Sequence, residues 1–375
     1  MSIDADDVAA LLSEVEVFAR QRIAREAERP ETPIDDMTLN MLTAEAAALG
    51  MIPGQTDDAG FALWEQVDEA PAMRFNLGLL RILGQANAGV AFAWHRRALA
   101  RALGARIGVF ADAGASIVAL SPTGHYGLGL GSCGRWLSRA ETDADAEAMR
   151  DWLNHDEHAS TVIAPPQWDT LVWPVWRDGQ VAWQVLPRFE VEAHRCRAQH
   201  GFDELAAYAC HVAHEQAQSE AIAPEHSREL YAWVLKVDMM GLLAIGTGAA
   251  MRSRQLAVDY AHMRRQGGKL IGEHAAVQAM LADIDAAVRQ GACVLARFER
   301  SVDAIDLTEV AALRMATQPL FCRGANQAVQ VFGGIGYMRD AGPEKLVRDQ
   351  NMLKLQCGGI REIPLLLAAL NGGLA

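Results

Sequence analysis

The stretch that decides the fold of this chain lies near its C-terminus. It reads QVFGGIGY at residues 330–337, PEKLVRD at 343–349 and LQCGG at 355–359. Gly333, Gly334 and Gly336 carry no side chain, so the backbone there can approach a ligand closely. Gln330 lies one turn earlier on a predicted helix and can hydrogen-bond the same ligand. The stretch therefore predicts the edge of a cofactor site.

The same stretch resembles the C-terminal signature of the flavin-dependent acyl-CoA dehydrogenases, in which a Q-hydrophobic-FGG-x-GY run precedes P-x-EKL-x-RD and a Y-E-G-T turn. The first two elements match in residue and spacing. A second block, residues 260–283, is similar to the family's Y-x-x-x-R-x-x-FG-x-x-I-x-x-x-Q run, with Arg264 at its arginine. The turn departs from the pattern, because Cys357 stands where the family carries its usual catalytic glutamate.

Length and charge limit the classes of protein that this chain can belong to. Its 375 residues exceed a usual domain, and a hydrophobic content of 51% indicates a large core. With 47 acidic and 34 basic residues the net charge is -13, and no basic stripe is present, so we expect no nucleic acid partner. The six cysteines form no C-x-x-C pair, which is typical of reduced thiols.

The N-terminus and the lengths of the apolar segments predict the cellular location of the protein. The N-terminus is acidic and then amphipathic, unlike the basic-then-apolar order of a signal peptide. The apolar stretches 76–94 and 239–251 are interrupted by polar residues or too short to cross a bilayer. We therefore expect a cytoplasmic protein with no membrane span.

The hydrophobic period changes twice along the chain. It is helical to about residue 113, with helices at 37–49 and 70–104. Short strands then follow at 161–164, 171–176, 181–186 and 189–191, with Asp178-Gly179 as a hairpin turn. Long helices return near 228–264, 273–300, 308–332 and 343–356. This order predicts a mainly α protein with a β insert: an N-terminal helical domain (1–115), a middle β domain (116–225) and a C-terminal helical bundle (226–375), which is the layout that the resemblance implies.

Two other patterns were weighed as ligand sites. Gly129-x-Gly131-x-x-Gly134 fits a dinucleotide-binding turn, but no strand ends next to it and no acidic residue follows at the required distance. The pairs His155/His158 and 211/214 lack a third ligand at zinc-like spacing. We therefore expect neither a dinucleotide turn nor a metal site.

Asp238 is the candidate catalytic base. It shares a predicted helix with apolar residues, and desolvation there would raise the pKa of its carboxyl and improve it as a base. By resemblance, Asp238 also falls where members similar to isovaleryl-CoA dehydrogenase keep their glutamate. The alternative is a surface aspartate paired with Lys236 or an arginine. Cys357 has no histidine in its motif, so we expect it to pack as a small hydrophobe rather than act as a nucleophile.

The resemblance also assigns cofactor residues. Arg264, Gln330, Gly333 and Gly334 correspond to residues that reach the FAD of a neighbouring subunit, and a guanidinium suits a pyrophosphate because it binds in a bidentate way. Residues for the chain's own FAD depart from the family: LSPTGHYG at 120–127 replaces T-E-P-x-x-G-S-D, while Gln356 and Gly359 replace the tyrosine and threonine of Y-E-G-T.

The resemblance implies FAD-dependent α,β-desaturation of an acyl-CoA thioester, with electron-transfer flavoprotein or another acceptor as redox partner, in a homo- or hetero-oligomer (dimer or tetramer). Two versions stay open. The chain is either a homo-oligomeric dehydrogenase with Asp238 as base, or a partner subunit that lends Arg264 and Gln330 to the FAD of another, catalytically complete chain. We favour the partner subunit, because the residues that act on a neighbour's flavin are kept while those for its own flavin are not.

Overall fold

The computed structural model describes residues 5–54, 62–108, 116–118, 129–154, 159–212 and 220–372. Helices come first, two small sheets lie in the middle, and a bundle of long helices follows. This confirms the predicted fold class. The boundaries after residues 115 and 225 stay a prediction.

The N-terminal part contains helices joined by turns, with no strand in the ranges 5–54 and 62–108. Its helices are α1 (Ala5–Phe18), which continues through a π-helical turn (Ala19–Ile23) into α2 (Ala24–Glu26), then α3 (Asp36–Ala48), α4 (Ala70–Ala86) and α5 (Ala88–Ile107). The prediction of one helix over 70–104 is wrong. Asn87 has an extended backbone, and its side chain accepts a hydrogen bond from the Val90 N–H at 3.0 Å, so it ends one helix and caps the next.

The middle part holds two three-stranded sheets that pack face to face. The first sheet has the strand order β1-β3-β4: β1 (Ser116–Val118) is parallel to β3 (Thr170–Arg177), and β4 (Gln180–Pro187) is antiparallel to β3. The second sheet is antiparallel and has the order β2-β6-β5. Its strands are β2 (Ser160–Ala164), β5 (Glu192–Arg195) and β6 (Ala206–His211). Side chains from both sheets, including those of Val162, Trp173 and Tyr208, form a separate core. Asp178 and Gly179 form the predicted hairpin turn with positive φ angles of 50° and 77°.

Two features of the middle part differ from the prediction. Residues Arg188–Glu190 form a 3-10 turn rather than a strand, because the Arg188 guanidinium donates to the carbonyls of Val191 and Ala193 and holds the chain in a bend. Two helices were also not predicted, α6 (Gly129–Leu137) and α7 (Asp143–Leu153). They precede β2 in the chain.

The C-terminal bundle agrees with the predicted long helices. It contains α8 (Ser227–Met263), the short hairpin β7 (Arg265–Gln266) and β8 (Lys269–Leu270), α9 (Ala275–Arg297), α10 (Leu307–Phe332), α11 (Pro343–Leu355) and α12 (Gly359–Leu370). Helix α8 has the length and hydropathy of a membrane span, but 89% of its apolar window is buried inside the protein. It is the central helix of the core and packs against α4, α5, α9 and α10.

Candidate functional site

Asp238 lies on the buried side of α8, and its side chain is fully excluded from solvent. Its Oδ1 accepts a hydrogen bond from His95 Nε2 at 3.0 Å, and its Oδ2 lies 3.1 Å from Arg96 Nη2. Trp64 Nε1 donates to His95 Nδ1 at 2.9 Å. Since an indole N–H only donates, His95 is assigned as a neutral ring with its proton on Nε2, directed at Asp238.

The predicted rise in the pKa of Asp238 is wrong. Burial does raise this pKa, but the charge of Arg96 and hydrogen bonds from His95 and Cys357 outweigh burial, so the pKa of Asp238 lies below its ordinary value. The alternative pairing with Lys236 is wrong as well, because Lys236 Nζ donates to two backbone carbonyls at 2.8 and 3.0 Å. Asp238 is therefore an ionised carboxylate held by its neighbours.

Cys357 contacts the same carboxylate from the turn between α11 and α12. It is 3% exposed and has a positive φ of 50°. Burial and the adjacent charge of Asp238 raise the pKa of Cys357 well above its ordinary value, so the group stays a thiol beside that carboxylate. Asp238 and Cys357, the two positions at which the resemblance places alternative catalytic carboxylates, thus meet at one point. We call Trp64, His95, Arg96, Asp238 and Cys357 the Asp238 cluster.

Helix α6 covers the turn that carries Cys357. A Cβ on Gly358 would overlap Leu130 of α6, and one on Gly134 would lie 2.7 Å from Ala369 Cβ and 2.9 Å from Leu366 O of α12. Gly134 of the G-x-G-x-x-G run therefore allows α6 and α12 to pack closely, and the run lies within a helix instead of a phosphate-binding turn.

Gln356, at the position of the family's tyrosine, is also buried. It is 7% exposed, and its Nε2 donates to Met352 O at 3.3 Å. The backbone carbonyl oxygen of Gln356 accepts a hydrogen bond from Arg314 Nη2 at 2.7 Å. The stretch 120–127, expected to hold flavin in the family, lies outside the described residues.

Unlike Asp238 and Cys357, which are buried, the predicted cofactor residues are exposed at the protein surface. Arg264 follows the end of α8, and Gln330 lies in the last turn of α10. The rings of Tyr260 and Phe332 stack with centroids 4.1 Å apart, which brings these two helix ends together. The Arg264 guanidinium makes no hydrogen bond or ion pair with any residue that the structure describes. We call Arg264, Gln330, Gly333 and Gly334 the end surface.

The glycines of the end surface do not all serve the predicted role. Gly333 has a φ of 64°, and no atom lies within 4 Å of a Cβ built on Gly333 or Gly334, so both are open to a ligand. Gly336 is different, because its Cβ would lie 2.5 Å from Val329 O. The expectation that Gly336 also admits a ligand is wrong, since Gly336 is buried against the last turns of α10. Gln330 Nε2 donates to Tyr337 Oη at 3.1 Å, so its amide is already oriented at this surface.

Charged residues of the PEKLVRD run (343–349) form ion pairs that link α11 to the N-terminal and middle parts of the chain. Lys345 Nζ lies 3.0 Å from Glu204 Oε1 and 2.7 Å from Asp349 Oδ2, and Asn87 Nδ2 donates to Glu204 at 2.7 Å. All three charged side chains are nearly buried. Sequence reasoning missed Asn87 and Glu204, since nothing near them in the sequence signals this contact. The run therefore connects α11 to residues of the N-terminal and middle parts through buried charges.

No group of three or more His, Cys, Asp or Glu side chains that could hold a metal occurs in the described part of the chain. Three of the four histidines in the two pairs, His155, His158 and His214, lie outside it.

Comparison with known proteins gives one family match and many similar folds. Residues 230–369 match the acyl-CoA dehydrogenase, C-terminal domain family. Mitochondrial isobutyryl-CoA dehydrogenase of Bos taurus is 34% identical over 128 residues, 32% of this chain and 30% of that protein. The chain thus spans about a third of the length of this curated relative.

Two solved structures have similar folds over nearly their whole length. A glutaryl-CoA dehydrogenase solved with glutaryl-CoA superposes with a TM-score of 0.74 at 15% identity, over 100% of this chain and 98% of that one. A glutaryl-CoA dehydrogenase from Mycobacterium smegmatis in complex with FADH2 gives 0.74 at 13% identity, over 100% and 96%. At these identities the likeness shows the fold.

Proposed function

Because this chain has the acyl-CoA dehydrogenase fold and its residues 230–369 belong to the C-terminal domain of that family, we propose that it is a subunit of a FAD-dependent oxidoreductase that desaturates an acyl-CoA thioester. In this proposal it lends the end surface to a flavin nucleotide held mainly by a neighbouring chain. The observation that carries the proposal is a contrast in burial: the end surface is open to a partner, whereas Asp238 and Cys357 are sealed.

The end surface suits a phosphate-containing nucleotide. A free guanidinium binds phosphate oxygens through two parallel hydrogen bonds, and the open backbone at Gly333 and Gly334 leaves room beside it. FAD, when bound, would supply the hydride acceptor, while this chain's residues bind and orient its nucleotide end. The bound FADH2 of the similar Mycobacterium smegmatis structure supports the choice of cofactor.

The surroundings of the end surface favour a protein partner. Four large apolar side chains next to it in sequence are exposed by 49–73%: Met263, Ile335, Tyr337 and Met338. Exposed apolar and aromatic groups around a polar site are typical of a subunit interface. A neighbouring chain could therefore pack here and present its nucleotide to Arg264.

The homo-oligomeric dehydrogenase with Asp238 as base is the second candidate. Its support is the position of Asp238 beside Cys357, where the resemblance places a catalytic carboxylate. A base must lie within hydrogen-bond reach of the proton that it removes. Asp238 is fully buried and its oxygens face His95 and Arg96, so the partner subunit remains the better-supported reading.

The proposal is tested by purifying this chain alone and together with the products of neighbouring dehydrogenase genes. We expect flavin absorbance only in the joint assembly. Arg264→Lys keeps the charge but loses the bidentate contact, which should weaken FAD binding by about 1.5–3 kcal/mol, roughly tenfold or more. Arg289→Lys, at an arginine of α9 that pairs with Asp285, is the control. A stoichiometric yellow protein from this chain alone, or unchanged FAD affinity in Arg264→Lys, would contradict the proposal.

A further inference from the structure

We infer that the place at which this family carries out its reaction has become a packed polar core in this chain, so that neither a flavin ring nor an acyl thioester binds there. The inference deepens the proposed function and rests on it for the assembly in which it is tested. It also rests on the resemblance that puts Cys357 at the position of the catalytic glutamate.

The first step concerns charge. Arg96 and Arg314 are 5% and 1% exposed, and the charges of both act on Cys357 beside Asp238. If Asp238 accepted a proton it would become neutral, and the buried ion pair between Asp238 and Arg96 would be lost. The cluster therefore opposes the protonation step that a catalytic base must undergo.

The second step concerns space. Gly241 lies on α8 one turn after Asp238, and a Cβ built on it would lie 2.7 Å from His95 Nε2. The imidazole thus packs directly against the helix backbone and fills the volume beside the carboxylate. Trp64, which is fully buried, closes the far side of the ring through its hydrogen bond to Nδ1. In the part of the chain that the structure describes, the imidazole and Trp64 therefore occupy the space on the His95 side of Asp238, where an acyl chain would have to displace them.

The third step concerns access from the turn. Leu130 of α6 fills the space over Gly358, and Trp136 of the same helix packs edge-to-face on Tyr231 at 6.1 Å between ring centroids. Tyr231 is itself fully buried. Helix α6 therefore covers Cys357 with side chains, where a reacting group would have to lie.

The inference is tested on the joint assembly by equilibrium dialysis with octanoyl-CoA and by flavin content. We expect one acyl-CoA and one FAD for each pair of unlike chains. Two of either would overturn the inference. If no joint assembly forms, the proposed function fails, but this chain alone should still bind neither FAD nor octanoyl-CoA.

Asp238→Asn separates a structural from a catalytic role. We expect the rate of flavin reduction by octanoyl-CoA to stay within about twofold, while the thermal midpoint falls by about 5 °C because Arg96 loses its counter-charge. A rate loss of roughly a hundredfold or more at an unchanged midpoint is what a positioned base would give, and it would overturn the inference. If Asp238→Asn does not fold, Cys357→Ser is measured in the same assay. We expect this variant to leave the rate of flavin reduction unchanged.

Discussion

The contact between α6 and α12 is best tested by two substitutions in one helix. Gly134 and Gly131 both lie inside α6, and in a helix interior alanine is favoured over glycine by about 1 kcal/mol. An added Cβ meets very different surroundings at the two positions. At Gly134 it would lie 2.7 Å from Ala369 Cβ and 2.9 Å from the Leu366 carbonyl, whereas at Gly131 the nearest atom is Leu365 Cβ at 3.6 Å.

These distances decide the sign of each effect. A contact of 3.6 Å is ordinary, so Gly131→Ala should raise the free energy of unfolding by up to about 1 kcal/mol. At Gly134 the backbone carbonyl cannot move aside, and overpacking costs about 1–3 kcal/mol. After the gain in helix propensity, Gly134→Ala should lower the free energy of unfolding by about 0–2 kcal/mol. The two variants should differ by about 1–3 kcal/mol.

Urea unfolding of the two variants and the natural chain, followed by circular dichroism, measures this difference. The midpoint of Gly134→Ala should lie below that of Gly131→Ala, with similar slopes. If Gly134→Ala stabilises the chain as much as Gly131→Ala does, α6 does not press on α12. Close coverage of the turn at Cys357 by α6 would then be refuted.

Two further outcomes follow from buried charges. Burial raises the pKa of Glu362 from its ordinary 4.5 to about 7, so between these values the folded chain binds a proton that the unfolded chain has lost. Stability should therefore fall as the pH rises through this window, and thermal midpoints of Glu362→Gln should lack this decline; an equal decline would count against the assignment. Lys345→Met should lower the free energy of unfolding by about 3–5 kcal/mol, because Glu204 and Asp349 stay buried without their shared cation. Lys354→Met on the same helix is the control. Equal urea midpoints for Lys345→Met and Lys354→Met would argue against a stabilising role of the Lys345 ion pairs.

The long helices and the hairpin were predictable because their signals are local. α10 and α11 show apolar periodicity with an aspartate or glycine at their ends, α8 is a long and mostly apolar run, and Asp178-Gly179 is a turn signal by itself. The break at Asn87 was missed for an opposite local reason. Its neighbours are good helix formers, and only the capping of Val90 by the Asn87 side chain shows that a second helix begins there.

The direction of the pKa shift of Asp238 was not predictable from the residues around it in the sequence. Its partner His95 lies 143 residues earlier, on another helix, and the apolar neighbours in α8 gave no sign of it. Burial was expected correctly, but the direction of the pKa shift depends on which charges share that burial. The glycines of α6 pose a similar problem, because Gly134 is needed for the contact with α12, which the sequence around it does not show.

Helix α8 acts as a spacer between the Asp238 cluster and the end surface. Asp238 and Arg264 are 26 residues apart along it, and at about 1.5 Å per residue this separates them by about 39 Å. A rigid helix of this length keeps the Asp238 cluster and the end surface from contacting one and the same nucleotide. In the proposed assembly, a nucleotide bound at Arg264 therefore has its reactive end on a neighbouring chain and not at this chain's Asp238 cluster.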